Sequence, residues 1–412
     1  MLFHKPYESY MSWIMLLVPA LLLTTSNFSV AVIAIAILLS LVYLYLNRSH
    51  VAITKFDIVV TFCLSIYFIG AIPIVIYDGT TARYFQGGGR LLLCIPIYYA
   101  LKTHLSKHQS NYRVYFEIGL IIGTIGAFAL AYYQHFIIKM PRVDGFLFSI
   151  NFGYLACSLS FLALTFALES KLKVLLVIGF MLSIIATIFT YTRGAIFAIP
   201  ILLVLLVIIN INRFKKRHIT LGCLTLFLAI FTLYNNSTNF KNRIDYTYQE
   251  FSLIASGNIG SATSSGYRLQ YWYGAFEAFK ANPLFGLPYS KREELNHQLY
   301  LDKKISKGAS KITRGHAHNQ YFEMLATNGF FGLLSIFGVL VAPLLIFFRH
   351  YVKYKTNWSL SATLFVSGFA IYGLTEVPLT ANLIGSFYGF MLAIFFANVS
   401  AEKYHWEKQE KQ

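Results

Sequence analysis

Long apolar runs separated by short polar ones fill this chain, and one polar segment is far longer than the rest. The runs lie near 11–25, 29–46, 57–77, 88–101, 113–136, 146–167, 173–189, 193–211, 218–234, 318–348, 359–375 and 381–399. An α-helix rises about 1.5 Å per residue and the hydrocarbon core of a bilayer is about 30 Å thick, so runs of this length predict membrane-crossing helices, about twelve in all. The first and fourth are short, which predicts tilted or partly interfacial helices. No small-residue cleavage site follows the first run, so it is expected to remain as a helix. The expected fold class is an all-α integral membrane protein, with 1–412 forming one polytopic domain.

The exception to the short connections is residues 235–317, between the ninth and tenth runs. Asn235-Asn236-Ser237-Thr238 reads as a helix break, and Ser256–Gly266 as a Gly/Ser-rich hinge. Tyr267–Lys280 reads as an amphipathic helix whose Leu269, Tyr273, Phe276 and Phe279 share one face. Asn282-Pro283-Leu284-Phe285-Gly286 stops it. A second, charge-rich helix is expected over about Ser290–Ile305, and a polar, basic connector then leads to His316-Ala317-His318. This predicts two helices lying on the outer membrane face and capping a cavity.

Composition and charge sharpen the picture. The chain is 57% hydrophobic and 12% charged, with mean hydropathy +0.58, which excludes an ordinary soluble domain. Outside the long segment, basic residues concentrate on alternate connections, among them Lys102, Lys107 and Arg113; Arg213, Lys215, Lys216 and Arg217; and Arg349, Lys353 and Lys355. Positively charged loops stay in the cytoplasm. Both termini are therefore expected there, with 235–317 on the opposite side, which in a bacterial inner membrane is the periplasm. The net charge of +17 then reflects topology and contact with anionic membrane lipids, and no nucleic-acid partner is expected. Cys63, Cys94, Cys157 and Cys223 all fall inside apolar runs without metal-ligand spacing and read as small core residues.

Candidate chemistry gathers on the predicted outer side. A neutral imidazole accepts a proton from a hydroxyl near pH 7, so His318, at the lip of a buried helix, is a candidate base. A histidine satisfied by backbone and headgroups is the structural alternative. His316 is two residues away and lacks the i, i+4 spacing of a helical metal pair. No Asp-x-Asp or Glu-rich cluster lies on that side, which argues against a bound divalent cation, and no cofactor is expected. Arg193, in a tight turn between two apolar helices, calls for an anionic partner or for snorkelling to the headgroups. Arg268, on the amphipathic loop helix, would join it in gripping a diphosphate through paired N–H donors. Weaker candidates are Arg90 after Gly87-Gly88-Gly89 for a phosphate, Asn319 to orient the helix start, Glu323 facing the cavity or paired with an outer arginine, and Tyr321 for stacking. Lys291-Arg292-Glu293 and the run Lys303–Arg314 are candidates for meeting acceptor phosphates.

Three motifs in this order carry a resemblance. Thr192-Arg193-Gly194-Ala195, then Arg268-Leu269 with Trp272 and Pro283-Leu284-Phe285-Gly286, then His318-Asn319-x9-Gly329-x-x-Gly332 resemble the O-antigen ligase family over about 190–335. The family's arginine motif is often R-x3-L, and here the last position is Phe197. The resemblance implies a GT-C-like glycosyltransferase of the inner membrane that takes a glycan from undecaprenyl diphosphate. It joins the glycan to a sugar of the lipid A-core oligosaccharide at the periplasmic face, with inversion and without metal. It implies His318 as base and Arg193 and Arg268 as the diphosphate site. The alternative is an O-antigen or polysaccharide polymerase using the same class of donor. A protein-directed oligosaccharyltransferase and a transporter without chemistry rank below both.

Overall fold

The computed structural model describes residues 4–108, 110–211, 231–232, 234–235 and 238–410, which form helices and no strand. The apolar runs become α1 (His4–Leu21), α2 (Phe28–Leu46), α3 (Lys55–Ile69), α4 (Ile72–Asp78), α5 (Gln86–Leu92), α6 (Ile95–Leu105), α7 (Tyr112–Tyr132), α8 (Ser149–Ala167), α9 (Lys173–Phe189) and α10 (Arg193–Ile209). After the long segment come α14 (Gln320–Ile336), α15 (Ala342–Tyr354), α16 (Asn357–Tyr372) and α17 (Asn382–Gln409). Among the described residues, six helical stretches are long and apolar enough to cross a membrane by length and composition: Phe28–Leu46, Lys55–Asp78, Tyr112–Ile137, Ser149–Ala167, Gln320–Tyr354 and Asn382–Gln409. α9 and α10 are shorter and also apolar. The run expected at 218–234 lies almost wholly outside the described residues, as does Cys223. Cys63, Cys94 and Cys157 are free and buried among apolar side chains.

α17 is the centre of the bundle, shielded along nearly all of Leu383–Ala401. Around it the helices approach closely wherever small residues allow. Gly119 and Gly123 of α7 sit against α1, where a Cβ would come within 2.3 Å of the Leu16 carbonyl oxygen and 2.1 Å of that of Pro19. This is the small-residue contact expected of helices whose neighbours are as apolar as lipid. Ile35, Leu38 and Leu41 of α2 and Phe197, Ile201, Val204 and Ile208 of α10 face outward, as lipid-facing side chains would.

The 235–317 segment holds α11 (Thr238–Ala255), α12 (Ser265–Ala281) and α13 (Tyr289–Leu301). α11 is additional to the two helices expected. The face of α12 is also the reverse of expectation. Tyr273 and Phe276 are exposed, and the buried face is Gly266, Gln270, Gly274, Ala275 and Ala278. Small residues admit α13: a Cβ on Gly274 would lie 2.5 Å from Asn296 Oδ1.

The segment is keyed into the bundle. Gly329 interrupts α14 with φ 56° and ψ −132°, a conformation open essentially to glycine. The Pro283–Gly286 turn seats in that notch, with Phe330 N–H donating to the Pro283 carbonyl at 2.8 Å and Leu287 N–H to that of Ala326 at 2.8 Å. Phe285 stacks on Phe331. The glycines of the histidine motif and the Pro-Leu-Phe-Gly motif are two halves of one joint.

Candidate active site

His318 is presented on a short non-helical stretch, with φ 46°, just before α14. Asn319 caps α14: its Oδ1 accepts from Tyr321 N–H at 2.9 Å and Phe322 N–H at 3.1 Å. The other end of the same amide donates from Nδ2 to the Leu374 carbonyl at 3.0 Å, while Gln320 N–H donates to Gly373 at 2.7 Å. These bonds fix the turn after α16 against the start of α14. Asn319 thus orients the helix start, as expected, and brings up a residue the sequence reading did not single out.

That residue is Glu376. His318 Nδ1 lies 3.0 Å from Glu376 Oε2, and His316 Nε2 lies 3.7 Å from Oε1. Burial would raise the Glu376 carboxyl. The hydrogen bond and charge of His318, with His316 beside it, outweigh burial and hold it below the ordinary value. Burial lowers His316. Nδ1–H donating to the carboxylate leaves His318 Nε2 without a hydrogen-bond partner among the described residues. Tyr271 of α12 stacks on the imidazole, ring centroids 5.6 Å apart. The donor atoms of His316, His318 and Glu376 lie within 4.8 Å of one another, close enough to gather round a cation as well as to share protons.

Arg292 and Glu323 form a buried pair behind this stretch. Arg292 Nη1 is 2.7 Å from Glu323 Oε1, and Nη2 is 3.1 Å from Oε2 and also binds the Gly315 carbonyl. Ala317 N–H donates to Glu323 at 2.8 Å, so the pair clamps the backbone on both sides of His316. Glu323 therefore has the arginine partner expected as one of its alternatives. Arg292 is 2% exposed, which corrects its expected role with acceptor phosphates: its donors face inward.

Arg193 opens α10. Gly194 beside it packs on Thr375, whose hydroxyl meets Tyr154 at 2.8 Å, so this helix start abuts the turn that carries Glu376. Arg193 has an anionic partner within the chain: Nη1 bonds Glu250 of α11 at 2.8 Å, and Nη2 bonds Ser264 at 2.6 Å. Burial would raise the Glu250 carboxyl. Arg193 and the backbone N–H groups of Ser264 and Ser265, at 2.5 and 3.0 Å, bring it to about 2. Glu250 thus ties α10, α11 and the start of α12 together.

Arg268 lies one turn before Tyr271 on α12, and its side chain has no hydrogen bond or ion pair among the described residues. Its charge reaches Arg142, which donates from Nε to the Thr190 carbonyl at 3.0 Å. Burial, then the charges of Arg193 and Arg268, depress the Arg142 guanidinium. Arg243 of α11 is depressed in the same way by burial and by Arg193 and Arg142, and its Nε is buried without a partner. Arg142 and Arg243 join the two arginines singled out in the sequence, and among the described residues Glu250, on Arg193, is the one carboxylate bonded to any of the four. Arg90 stands apart, tying α5 to the start of α17 through the Thr380 carbonyl and Asn382, each at 3.0 Å.

Two cavities meet at this cluster. An apolar groove of about 490 Å³ runs between α9, α10 and α11, with Ile188, Phe197, Pro200, Ile244 and Phe251 along it and Arg193 and Arg243 at one end. Phe197, the departure from the leucine motif, is one of its apolar walls. A second cavity of about 320 Å³, lined by Pro141, Arg142, Asn242 and Tyr246, shares Tyr191 and Arg243 with the first.

Residues 178–337 match the family model described as O-antigen ligase. An uncharacterized protein of Haemophilus influenzae is 21% identical over 319 residues, covering 76% of this chain and 78% of its own. The match takes in α10, the whole outer segment and α14, which carry Arg193, Arg268 and His318. The resemblance drawn from those motifs is therefore borne out: residues 178–337, the stretch that holds all three motifs, are similar to the O-antigen ligase family.

Proposed function

We propose that the chain is an O-antigen ligase, a GT-C-like glycosyltransferase that moves a glycan from undecaprenyl diphosphate to a sugar hydroxyl of the lipid A-core oligosaccharide. The observation that carries this reading is the His318–Glu376 pair standing beside unpaired arginine donors at the end of an apolar groove. His318 Nε2 takes the proton of the acceptor hydroxyl as that oxygen attacks the anomeric carbon. The bond from the anomeric carbon to the diphosphate oxygen breaks, its electron pair leaves on the diphosphate, and configuration inverts. Glu376 steadies the imidazolium that forms. General-base assistance of this kind contributes about 10²–10⁴-fold.

Arg268 and Arg193, with Arg142 and Arg243, hold the departing charge, each charge-assisted contact giving roughly 1.5–3 kcal/mol. The groove beside α9 and α10 takes the isoprenoid chain next to its phosphates. In this reading the 235–317 segment covers the reacting sugars on the periplasmic side of the inner membrane, and both termini are cytoplasmic. No metal is required, as in the family it resembles.

The test is expression in a strain that lacks its own ligase and still makes undecaprenyl-linked O-antigen, wild type beside His318→Ala at matched membrane levels. A lipopolysaccharide ladder with wild type and none with the variant is expected. A ladder that persists in the variant removes His318 as the base. No ladder from wild type, with matched donor and acceptor supplied, turns the assignment to the polymerase.

A further inference from the structure

A second group of chemistry-bearing side chains lies at the other end of the bundle. α17 begins beside Arg90 and the turn carrying Glu376, and His405 near its end bonds the Leu105 carbonyl, so the two regions are separated by about 35 Å of helix. At this far end His4 and Glu8 sit one turn apart on α1, and His104 and His108 one turn apart at the end of α6. His4 Nδ1 and His104 Nδ1 are 3.2 Å apart. One donor atom from each of His4, Glu8 and His104 lies within 4.8 Å of the others. The His108 ring stacks on His4 with centroids 3.5 Å apart, and Tyr7 and Tyr43 wall the other side of His104.

The geometry points to a site for a divalent transition-metal ion of the zinc class, held by His4, Glu8 and His104 with His108 packed beside it. Zinc binds imidazole nitrogen at about 2.0–2.1 Å in a tetrahedron, which sets ligand nitrogens about 3.3–3.4 Å apart. The observed His4–His104 separation of 3.2 Å is already close to this, and the Glu8 carboxylate, within 4.8 Å of both, has only to draw in. Two imidazoles and one carboxylate form a nitrogen and oxygen set suited to zinc, and poorly suited to calcium or magnesium, which prefer all-oxygen shells. His104 is 1% exposed, and Nε2 of both His104 and His108 is buried without a partner. An ion here pins the start of α1 to the end of α6.

The competing account is a plain N–H···N bond between His4 and His104, and zinc titration separates the two. The full chain, purified through a tag without histidine and stripped with chelator, is titrated with Zn²⁺ in detergent against a competing indicator. The titration is run on a His316→Ala/His318→Ala background, which removes the other histidine group. One ion per chain is expected, with thermal stability rising as it binds. His4→Gln and Glu8→Gln should each weaken binding by more than the roughly 10–100-fold typical of losing an outer partner. His4 is half-buried at a helix start, so its variant carries the test even if His104→Gln fails to fold. No bound zinc in the parent, or unchanged affinity in His4→Gln, overturns the site.

Discussion

Replacing Glu376 by Gln isolates what the carboxylate does for His318. The side chain keeps its size, and its remaining oxygen still accepts from His318 Nδ1–H across the 3.0 Å now seen, so the ring stays in place. What disappears is the negative charge facing an imidazolium that exists only after the proton has moved. A charge-assisted hydrogen bond is worth roughly 1.5–3 kcal/mol and the neutral one that glutamine keeps about 0.5–1.5, a loss of about 1–1.5 kcal/mol. At 1.36 kcal/mol per decade of rate, that predicts a fall in kcat of about fivefold to about 13-fold. Donor KM should change little, because Glu376 is not among the residues proposed to hold the diphosphate. The assay is transfer from a defined undecaprenyl diphosphate glycan to purified acceptor, following product over time with thermal stability measured on the same preparation. A kcat within about twofold of wild type refutes the role, since removal of an interaction made in the transition state must show in kcat. A loss explained by unfolding refutes it too.

Four further outcomes follow from the same geometry. Arg268→Gln should impair donor use without lowering Tm, whereas Arg193→Gln should lower both because it also strips Glu250 of its partner; equal Tm losses would contradict the separation. Arg292→Met should cost about 3–5 kcal/mol by leaving Glu323 buried and unpaired, and Arg292→Met/Glu323→Leu should recover part of that in denaturation midpoints. Gly329→Ala should lower Tm and abolish the ladder, because its Cβ would lie 2.6 Å from the Pro283 carbonyl at a φ of 56°; an unchanged Tm would sink this account of the joint. Glu250 sits at about 2, below the ordinary carboxyl value, so its stabilisation is complete above about pH 4.5 and drains away as pH falls toward 2. Tm measured against pH should show that loss, and Glu250→Gln should flatten it.

The helical bundle and three of the candidate site's side chains were legible in the sequence because each leaves a local mark. Apolar runs mark helices, and Arg193, Arg268 and His318 sit in short motifs. Glu376 left none. It is a lone acid at the end of an apolar run, and its partner lies 58 positions away, so only the Asn319–Leu374 and Gln320–Gly373 bonds reveal the pairing. α11 was missed because its polar residues outweigh its apolar ones. Its signal was nevertheless present in Phe240, Ile244, Tyr248 and Phe251, a stripe at helical spacing that lines the groove. The face of α12 was assigned backwards for a physical reason. In water an aromatic stripe goes inward, but beside a bilayer the glycines and alanines pack and the aromatics face out. Arg292 was read as a surface base because charge-rich helices are usually solvated, and nothing local shows that Glu323 waits 31 positions on.

The turn seated in the Gly329 notch bears on how such proteins can be recombined. Exchanging 235–317 between relatives is the natural way to seek a new glycan preference. A graft cut at 317 would set a foreign turn against a recess shaped for another. A transplant bounded instead beyond residue 332 would move tenon and mortise together, and would carry His318, the proposed base, along with the segment proposed to cover it.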